Sequence, residues 1–244
     1  MSRDFRRFYC PQLADSEGTG GARVELTGEE AHHLVHVLRA RVGTRVQLFD
    51  GKGRQAEAVV THSARGCVHL ECGEIERISR ESGRRVVLAT ALPRAGRERF
   101  LVEKAVELGV AEGWFFEAER GVARCSSGFL RKAERTVIEA SKQCGRNTLM
   151  PVRCRPLDEI LSGTPSTAHR WIAHPGGPSW SPDQTGAEAT ESAVLIGPEG
   201  GFTESEIGRA RSSGWKWVSL GPRVLRIETA ALAFAAALLL GRDR

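Results

Sequence analysis

Between residues 44 and 72 apolar and polar side chains alternate with the two-residue period of a half-buried strand. TRVQLF (44–49) and QAEAVVT (55–61) flank Asp50-Gly51-Lys52-Gly53, a glycine-rich hairpin turn, and CVHLEC (67–72) adds a third run after Gly66. One helix interrupts them. Thr27 and Glu30 have the spacing of a capping box ahead of AHHLVHVLRAR. Short strands with a single helix predict a small β-barrel over residues 1–75.

A polar, arginine-rich stretch, ERISRESGRR (76–85), marks a domain boundary. Beyond it the period changes. VVLATAL (86–92) is a continuous apolar run, as in a strand buried on both faces. Residues 96–109 form an amphipathic pattern with a glycine stop, 114–117 a strand, and 129–144 a second helix stopped at Gly145. Further strands are predicted at 170–173, 193–196 and 217–220, with long loops over 162–192. Thr203-Glu204-Ser205-Glu206 is another capping box, opening a helix to about 213, and 229–240 is apolar nearly all round, a buried or interface helix. Such alternation predicts a parallel α/β sheet over residues 76–244.

Composition narrows the class. Hydrophobic residues make up 41% and charged residues 27%, which excludes a disordered chain, a collagen-like fibre and a disulfide scaffold. The longest apolar run, residues 230–240, is roughly half the length of a membrane-spanning helix. MSRDFRRFYCPQ lacks the apolar core of a secretory signal, so a cytoplasmic protein with no membrane partner is expected. The six cysteines contain no C-x-x-C pair, which predicts free thiols in a reducing compartment. No metal is expected. His32 and His36 stand i,i+4, but His33 replaces the glutamate of an H-E-x-x-H motif and no acidic third ligand is evident. The net charge of +5 hints at a polyanionic partner, and 30 of the 35 basic residues are arginine. Arginine's planar fork suits phosphates and base edges, although GC-rich coding also raises arginine over lysine.

Two segments have the form of ligand loops. Leu195-Ile196-Gly197-Pro198-Glu199-Gly200-Gly201-Phe202 empties a strand into a glycine turn before a capped helix. Leu220-Gly221-Pro222-Arg223-Val224-Leu225-Arg226-Ile227-Glu228-Thr229 repeats the strand, Gly-Pro turn and helix. Glycine lets the backbone approach a ligand, and α/β proteins bind ligands beyond the carboxyl ends of strands. Neither segment is a dinucleotide G-x-G-x-x-G or a phosphate loop with G-K-[ST].

Together these segments resemble the SPOUT superfamily of S-adenosylmethionine-dependent methyltransferases. Within it, the chain is similar to the family that methylates N3 of a uridine in 16S ribosomal RNA. Shorter matches follow in order: Arg6-Arg7-Phe8-Tyr9, His33-Leu34-Val35-His36-Val37-Leu38-Arg39, Leu48-Phe49-Asp50-Gly51, Lys104-Ala105-Val106-Glu107-Leu108-Gly109-Val110, Gln143-Cys144-Gly145-Arg146-Asn147 and His174-Pro175. The chain departs from the pattern at Glu103, where glutamine is expected, and at Lys142, where glutamate is common. The resemblance implies a PUA-like, RNA-binding β-barrel followed by a SPOUT-type parallel sheet with a C-terminal trefoil knot. It also implies a homodimer acting on 16S rRNA in the 30S subunit.

By the same resemblance Ile196, Gly197, Pro198, Gly200, Leu220, Gly221, Leu225 and Thr229 would hold the cofactor's adenine and ribose. His174 would wall that pocket, and Glu199 would take a ribose hydroxyl or the cofactor amine, or else serve as a helix N-terminal charge. Uracil N3 must lose its imide proton before attack, so a cation is expected to stabilise the resulting anion. Arg226 is the first candidate and Arg7 the second. Glu228 is the nearest acid for a base, with capping of the last helix or pairing with Arg226 as its structural alternatives. Arg7, Arg39, Lys104, Arg146 and Asn147 are the candidate RNA contacts, Lys104 having Glu107 as an alternative i,i+3 partner. The rival readings are a SPOUT enzyme acting on a ribose 2′-hydroxyl or on tRNA, and an inactive RNA-binding ribosome factor.

Overall fold

The computed structural model describes residues 6–15, 21–64, 66–94, 96–185 and 190–240. The chain divides into two compact units: Met1–Arg80 with Ser141–Leu149, and Glu81–Ala140 with Met150–Arg244. The division after Arg80 lies inside the polar stretch 76–85. The position chosen from composition, after residue 75, instead cuts a strand that runs to Arg77.

The first unit is built on β1 (Arg7–Tyr9), β2 (Arg23–Thr27), β3 (Arg45–Phe49), β4 (Arg54–Ala64) and β5 (Cys67–Arg77), in the order β1-β3-β4-β5-β2. β1 runs parallel to β3 and the other neighbours are antiparallel. Alternating side chains send Phe8, Leu26, Val46, Leu48, Val60, Val68 and Leu70 into one core. Register shifts at Ala56/Ala58 and Val60/His62 bend the long β4–β5 pair, as bulges do. Among the described residues β1 and β2 remain edges, so the predicted barrel is an open one. The hairpin turn forms as expected: Asp50 Oδ1 accepts from the N–H groups of Lys52 (2.6 Å) and Arg54 (2.9 Å).

The first predicted capping box does not form. The Thr27 side chain makes no cap bond to α1 (Gly28–His32), and the helix continues into a π-turn, His33–Val37. Gly28 takes a left-handed φ of 60°, and the Glu30 carboxylate is used elsewhere. It accepts from the Tyr9 N–H (3.2 Å) and from the Lys142 ammonium (3.0 Å), the lysine that departs from the family pattern.

The second unit carries β6 (Arg85–Ala91), β7 (Glu112–Phe116), β8 (Val152–Cys154), β9 (His169–Ala173), β10 (Glu191–Ile196) and β11 (Lys216–Val218). They form one wholly parallel sheet in the order β11-β9-β10-β6-β7-β8. The helices are α2 (Glu98–Leu108), α3 (Ser127–Cys144), α4 (Leu157–Gly163), α5 (Glu204–Ser212) and α6 (Ile227–Leu239). α6 buries Ile227, Ala231, Phe234, Ala235 and Leu238 and packs on α2 and on the central strands β6 and β10. Here the capping box is complete: Thr203 Oγ1 accepts from the Glu206 N–H, and Glu206 Oε2 accepts from the Thr203 N–H.

Candidate functional site

The in-register pairing of β9, β10 and β11 sets Ile196, Ala173 and Val218 side by side on one rung. The chain therefore leaves three adjacent parallel strands at one level, through His174, Gly197 and Ser219. Both glycine loops and the His174-Pro175 turn come together at the carboxyl edge of the sheet, where open α/β sheets bind ligands. They line a cavity of about 360 Å³.

Packing holds each loop. A Cβ at Gly197 would lie 2.7 Å from the Phe202 ring, which folds back over the turn and stacks on Phe116 at 6.2 Å between centroids. Only glycine fits there. The loop ends at the capping box of Thr203, which fixes where α5 starts. In the second loop Ser219 Oγ donates to the Gly221 carbonyl (3.0 Å), and Gly221 has a φ of 113°, a conformation that favours glycine. His174 stacks on Trp217 (5.0 Å, 17°), and its Nδ1 accepts from the Gly176 N–H (3.0 Å). In the neutral ring this assigns the proton to Nε2.

Of the ten cofactor residues expected from sequence, His174, Ile196, Gly197, Pro198, Glu199, Gly200, Leu220, Gly221 and Leu225 line this cavity, whereas Thr229 does not. Thr229 sits two residues into α6 and borders an adjoining concavity with Arg97, Phe100, Val224, Arg226 and Glu228. Arg226 is exposed there as the N-terminal boundary residue of α6. Glu228 is buried and ion-paired, but its partner is Arg97, not Arg226. A carboxylate already held by a guanidinium is poorly placed to accept a substrate proton. Glu199 lies 4.0 Å from Arg94.

Sequence reading overlooked Arg120 and Phe202. Arg120 reaches the carbonyls of Gly200 (3.4 Å) and Phe202 (3.5 Å) from the loop after β7, which no local pattern signals. Phe202 was legible, since it closes the glycine motif itself.

The RNA methyltransferase domain family matches residues 80–239, and the RNA methyltransferase PUA domain family matches residues 26–71. A ribosomal RNA small subunit methyltransferase E of Mycobacterium tuberculosis is 32% identical over 241 residues, covering 92% of this chain and 87% of that protein. The crystal structure of a ribosomal RNA small subunit methyltransferase E from Neisseria gonorrhoeae, bound to S-adenosyl methionine, superposes with a TM-score of 0.86 at 32% identity and covers 96% of each chain. The chain belongs to the ribosomal RNA small subunit methyltransferase E family. A methyltransferase from Legionella pneumophila in complex with the same cofactor also superposes at 0.86, with 29% identity over 97% of each chain.

In this member of the methyltransferase E family the expected RNA contacts divide. Arg39 is exposed, with a left-handed φ of 53° unusual for a residue with a side chain. Lys104 is half-buried and held by Glu107 (2.8 Å) and Glu103 (2.9 Å); these bonds raise its pKa. Arg7, Arg146 and Asn147 are packed within the first unit. Gly145 ends α3 at a left-handed φ of 84°, and the chain after it turns inward, leaving Arg146 and Asn147 buried. Asn147 is 1% exposed; its Oδ1 accepts from Arg7, and its Nδ2 donates to Gln55 Oε1 (3.1 Å) and the Ile78 carbonyl (2.9 Å). Arg7 also donates to the Ser141 carbonyl (3.0 Å) and lies over the Phe49 ring (4.7 Å). Burial, reinforced by nearby Arg80, pulls its pKa down to about 10, so it stays cationic at neutral pH. Arg7 is thus committed to partners within its own unit.

Proposed function

We propose that this chain transfers a methyl group from S-adenosylmethionine to N3 of a uridine in 16S ribosomal RNA, acting in the cytoplasm on the small ribosomal subunit. The observation that carries the reading is the shared rung of Ile196, Ala173 and Val218, which delivers both glycine loops and His174 to one cavity. The cavity fits the cofactor. It is large enough, its walls are mostly backbone and apolar side chains, and among the described residues no atom beyond the two chain neighbours lies within 4 Å of where a Cβ at Gly221 would stand.

When bound, S-adenosylmethionine supplies an electrophilic methyl on a sulfonium. The chain's part is positioning and electrostatics. The backbone of residues 196–200 and 220–225 holds the cofactor. Arg226, in the adjoining concavity, faces the charge that develops on N3 and its flanking carbonyl oxygens once the imide proton has left. Glu228 keeps Arg97 and the start of α6 in place, a positioning role. Exposed Arg39 and half-buried Lys104 supply RNA phosphate contacts.

The chain also threads as a trefoil knot and pairs with a second copy. The sheet order supports the knot, since β10 inserts between β6 and β9 before the loop leading to α6 closes over the same cavity. Exposed Phe100 and Val224, which line the second concavity, and exposed Leu240 at the far end of α6 support the dimer.

The test is transfer from labelled S-adenosylmethionine to small subunits lacking the modification, read by nucleoside mass spectrometry. 3-Methyluridine is the expected product. A methylated ribose or a modified tRNA would overturn the target assignment, and absence of cofactor binding would overturn the activity.

A further inference from the structure

On the exposed face of the first unit's sheet, far from any metal-binding pattern in sequence, three strands bring together a thiol, an imidazole and a carboxylate. Cys67 and His69 stand two residues apart on β5 and so share a face, with the Cys67 Sγ 3.6 Å from the His69 Nε2. Glu25, on the edge strand β2, is the cross-strand partner of His69. One ligand atom from each of the three lies within 4.8 Å of the other two. His62 on β4 is the partner of His69 on the opposite side, with ring centroids 5.7 Å apart, and the Thr61 hydroxyl donates to the His69 carbonyl (3.2 Å). The central imidazole is thus supported from both neighbouring strands.

We propose that Glu25, Cys67 and His69 bind one zinc ion per chain. The donor set of thiolate, imidazole and carboxylate is the one zinc takes, and a hard cation such as magnesium or calcium would avoid sulfur. The geometry is nearly preformed. In a tetrahedral site with zinc–sulfur and zinc–nitrogen bonds of ordinary length, a sulfur and a nitrogen ligand are separated by roughly 3.5 Å. Cys67 and His69 already stand at that spacing, and the Glu25 carboxylate, within 4.8 Å of both, needs to move by no more than roughly 1.5 Å to complete the face. Binding replaces the thiol proton, which goes to solvent, with the metal. The fourth position is open to water.

Such an ion has a structural consequence that methyl transfer does not require. Among the described residues β2 is an edge strand of five residues, paired to the sheet through β5 alone. Zinc would tie its midpoint to β5 by coordination bonds and stabilise the folded chain by linkage.

The experiment uses the full-length protein, stripped of metal and kept reduced with a phosphine, titrated calorimetrically with zinc and spectroscopically with cobalt. The expected result is one equivalent of zinc bound, a thiolate-to-cobalt charge-transfer band, and a thermal midpoint that rises with zinc. Cys67→Ser, His69→Gln and Glu25→Gln should each weaken binding at least about tenfold, and the cobalt band should vanish in Cys67→Ser. The metal-free thermal midpoint of each variant shows whether it still folds. No stoichiometric binding by the parent chain would overturn the site. So would binding at undiminished affinity in folded Cys67→Ser and His69→Gln, which would place the ion elsewhere.

Discussion

Arg97 and Glu228 form a direct ion pair that ties the start of α2 to the first turn of α6, in the wall of the concavity that also holds Arg226. The Glu228 side chain is only 9% exposed, so the pair gives a buried carboxylate its counter-charge. Arg97→Ala should destabilise the protein by about 2 kcal/mol, the cost of a buried charged acceptor losing its donor. Glu228→Gln keeps a hydrogen bond to Arg97 and should lower stability less, while retaining most of the turnover. A Glu228→Gln enzyme with the parent's thermal midpoint but no methyl transfer would restore Glu228 as the base.

Arg226 has the opposite profile. It is exposed and marks the start of α6, and its side chain makes no hydrogen bond or ion pair among the described residues. Arg226→Ala should leave the melting temperature and cofactor affinity within error while reducing turnover by roughly a hundredfold or more, the range for removing one donor to a developing oxyanion. Single-turnover transfer alongside calorimetric cofactor titration separates the two effects. Unchanged turnover would remove Arg226 from the chemistry.

Where function depends on local pattern, the sequence was sufficient. An apolar strand followed by Gly-Pro announces a loop at a sheet edge, and nine of the ten expected cofactor residues line one cavity. Thr229 differs for a local reason as well: inside the first turn of α6, it is exposed and borders the adjoining concavity. The strands β1 and β8, three residues each, are too short to show a period. Other features were not legible because their partners are distant. Thr27 and Glu30 have capping-box spacing, yet the glutamate is claimed by Tyr9 and Lys142. Arg146 and Asn147 follow a helix stop in a loop expected to contact RNA, yet the chain there belongs to the first unit and buries both. Glu228 has an arginine two residues away in sequence and pairs with one 131 residues away.

Gly221 tests the second loop. Its φ of 113° is a conformation that strains any other residue, while an added Cβ would meet no described residue beyond its two chain neighbours. Gly221→Ala should therefore weaken S-adenosylmethionine binding by about tenfold, equivalent to about 1.4 kcal/mol, through backbone strain in the cradle. The fold should be affected much less. Equal losses of cofactor affinity and of thermal stability would instead make this glycine a general folding requirement.

Asn147 separates framework from RNA recognition. Both ends of its amide are occupied within the first unit, by Arg7, Gln55 and the Ile78 carbonyl. Asn147→Ala should cost about 2–3 kcal/mol in urea unfolding, because it leaves the half-buried Arg7 guanidinium short of an acceptor. Binding of 16S rRNA fragments by the folded fraction should stay close to that of the parent chain. A large loss of RNA affinity without loss of stability would return Asn147 to the RNA surface.

The first unit's core also carries a pH signature in Cys72. Burial, with a smaller contribution from neighbouring Cys10, pushes its thiol up to about 11 from an ordinary value of 9.0. In the unfolded chain the thiol ionises first, so between those values the folded state binds more protons and stability falls as pH rises. The contribution is fully present below about pH 9 and is lost as the pH passes through 11. Urea midpoints measured from pH 8 to 10.5 should therefore decline more steeply for the parent chain than for Cys72→Ala, whose baseline stability is lower but which has no thiol to ionise at this position. Identical slopes would mean that the thiol is open to solvent in the folded state, and Cys72 would then react with thiol reagents as fast as it does in urea.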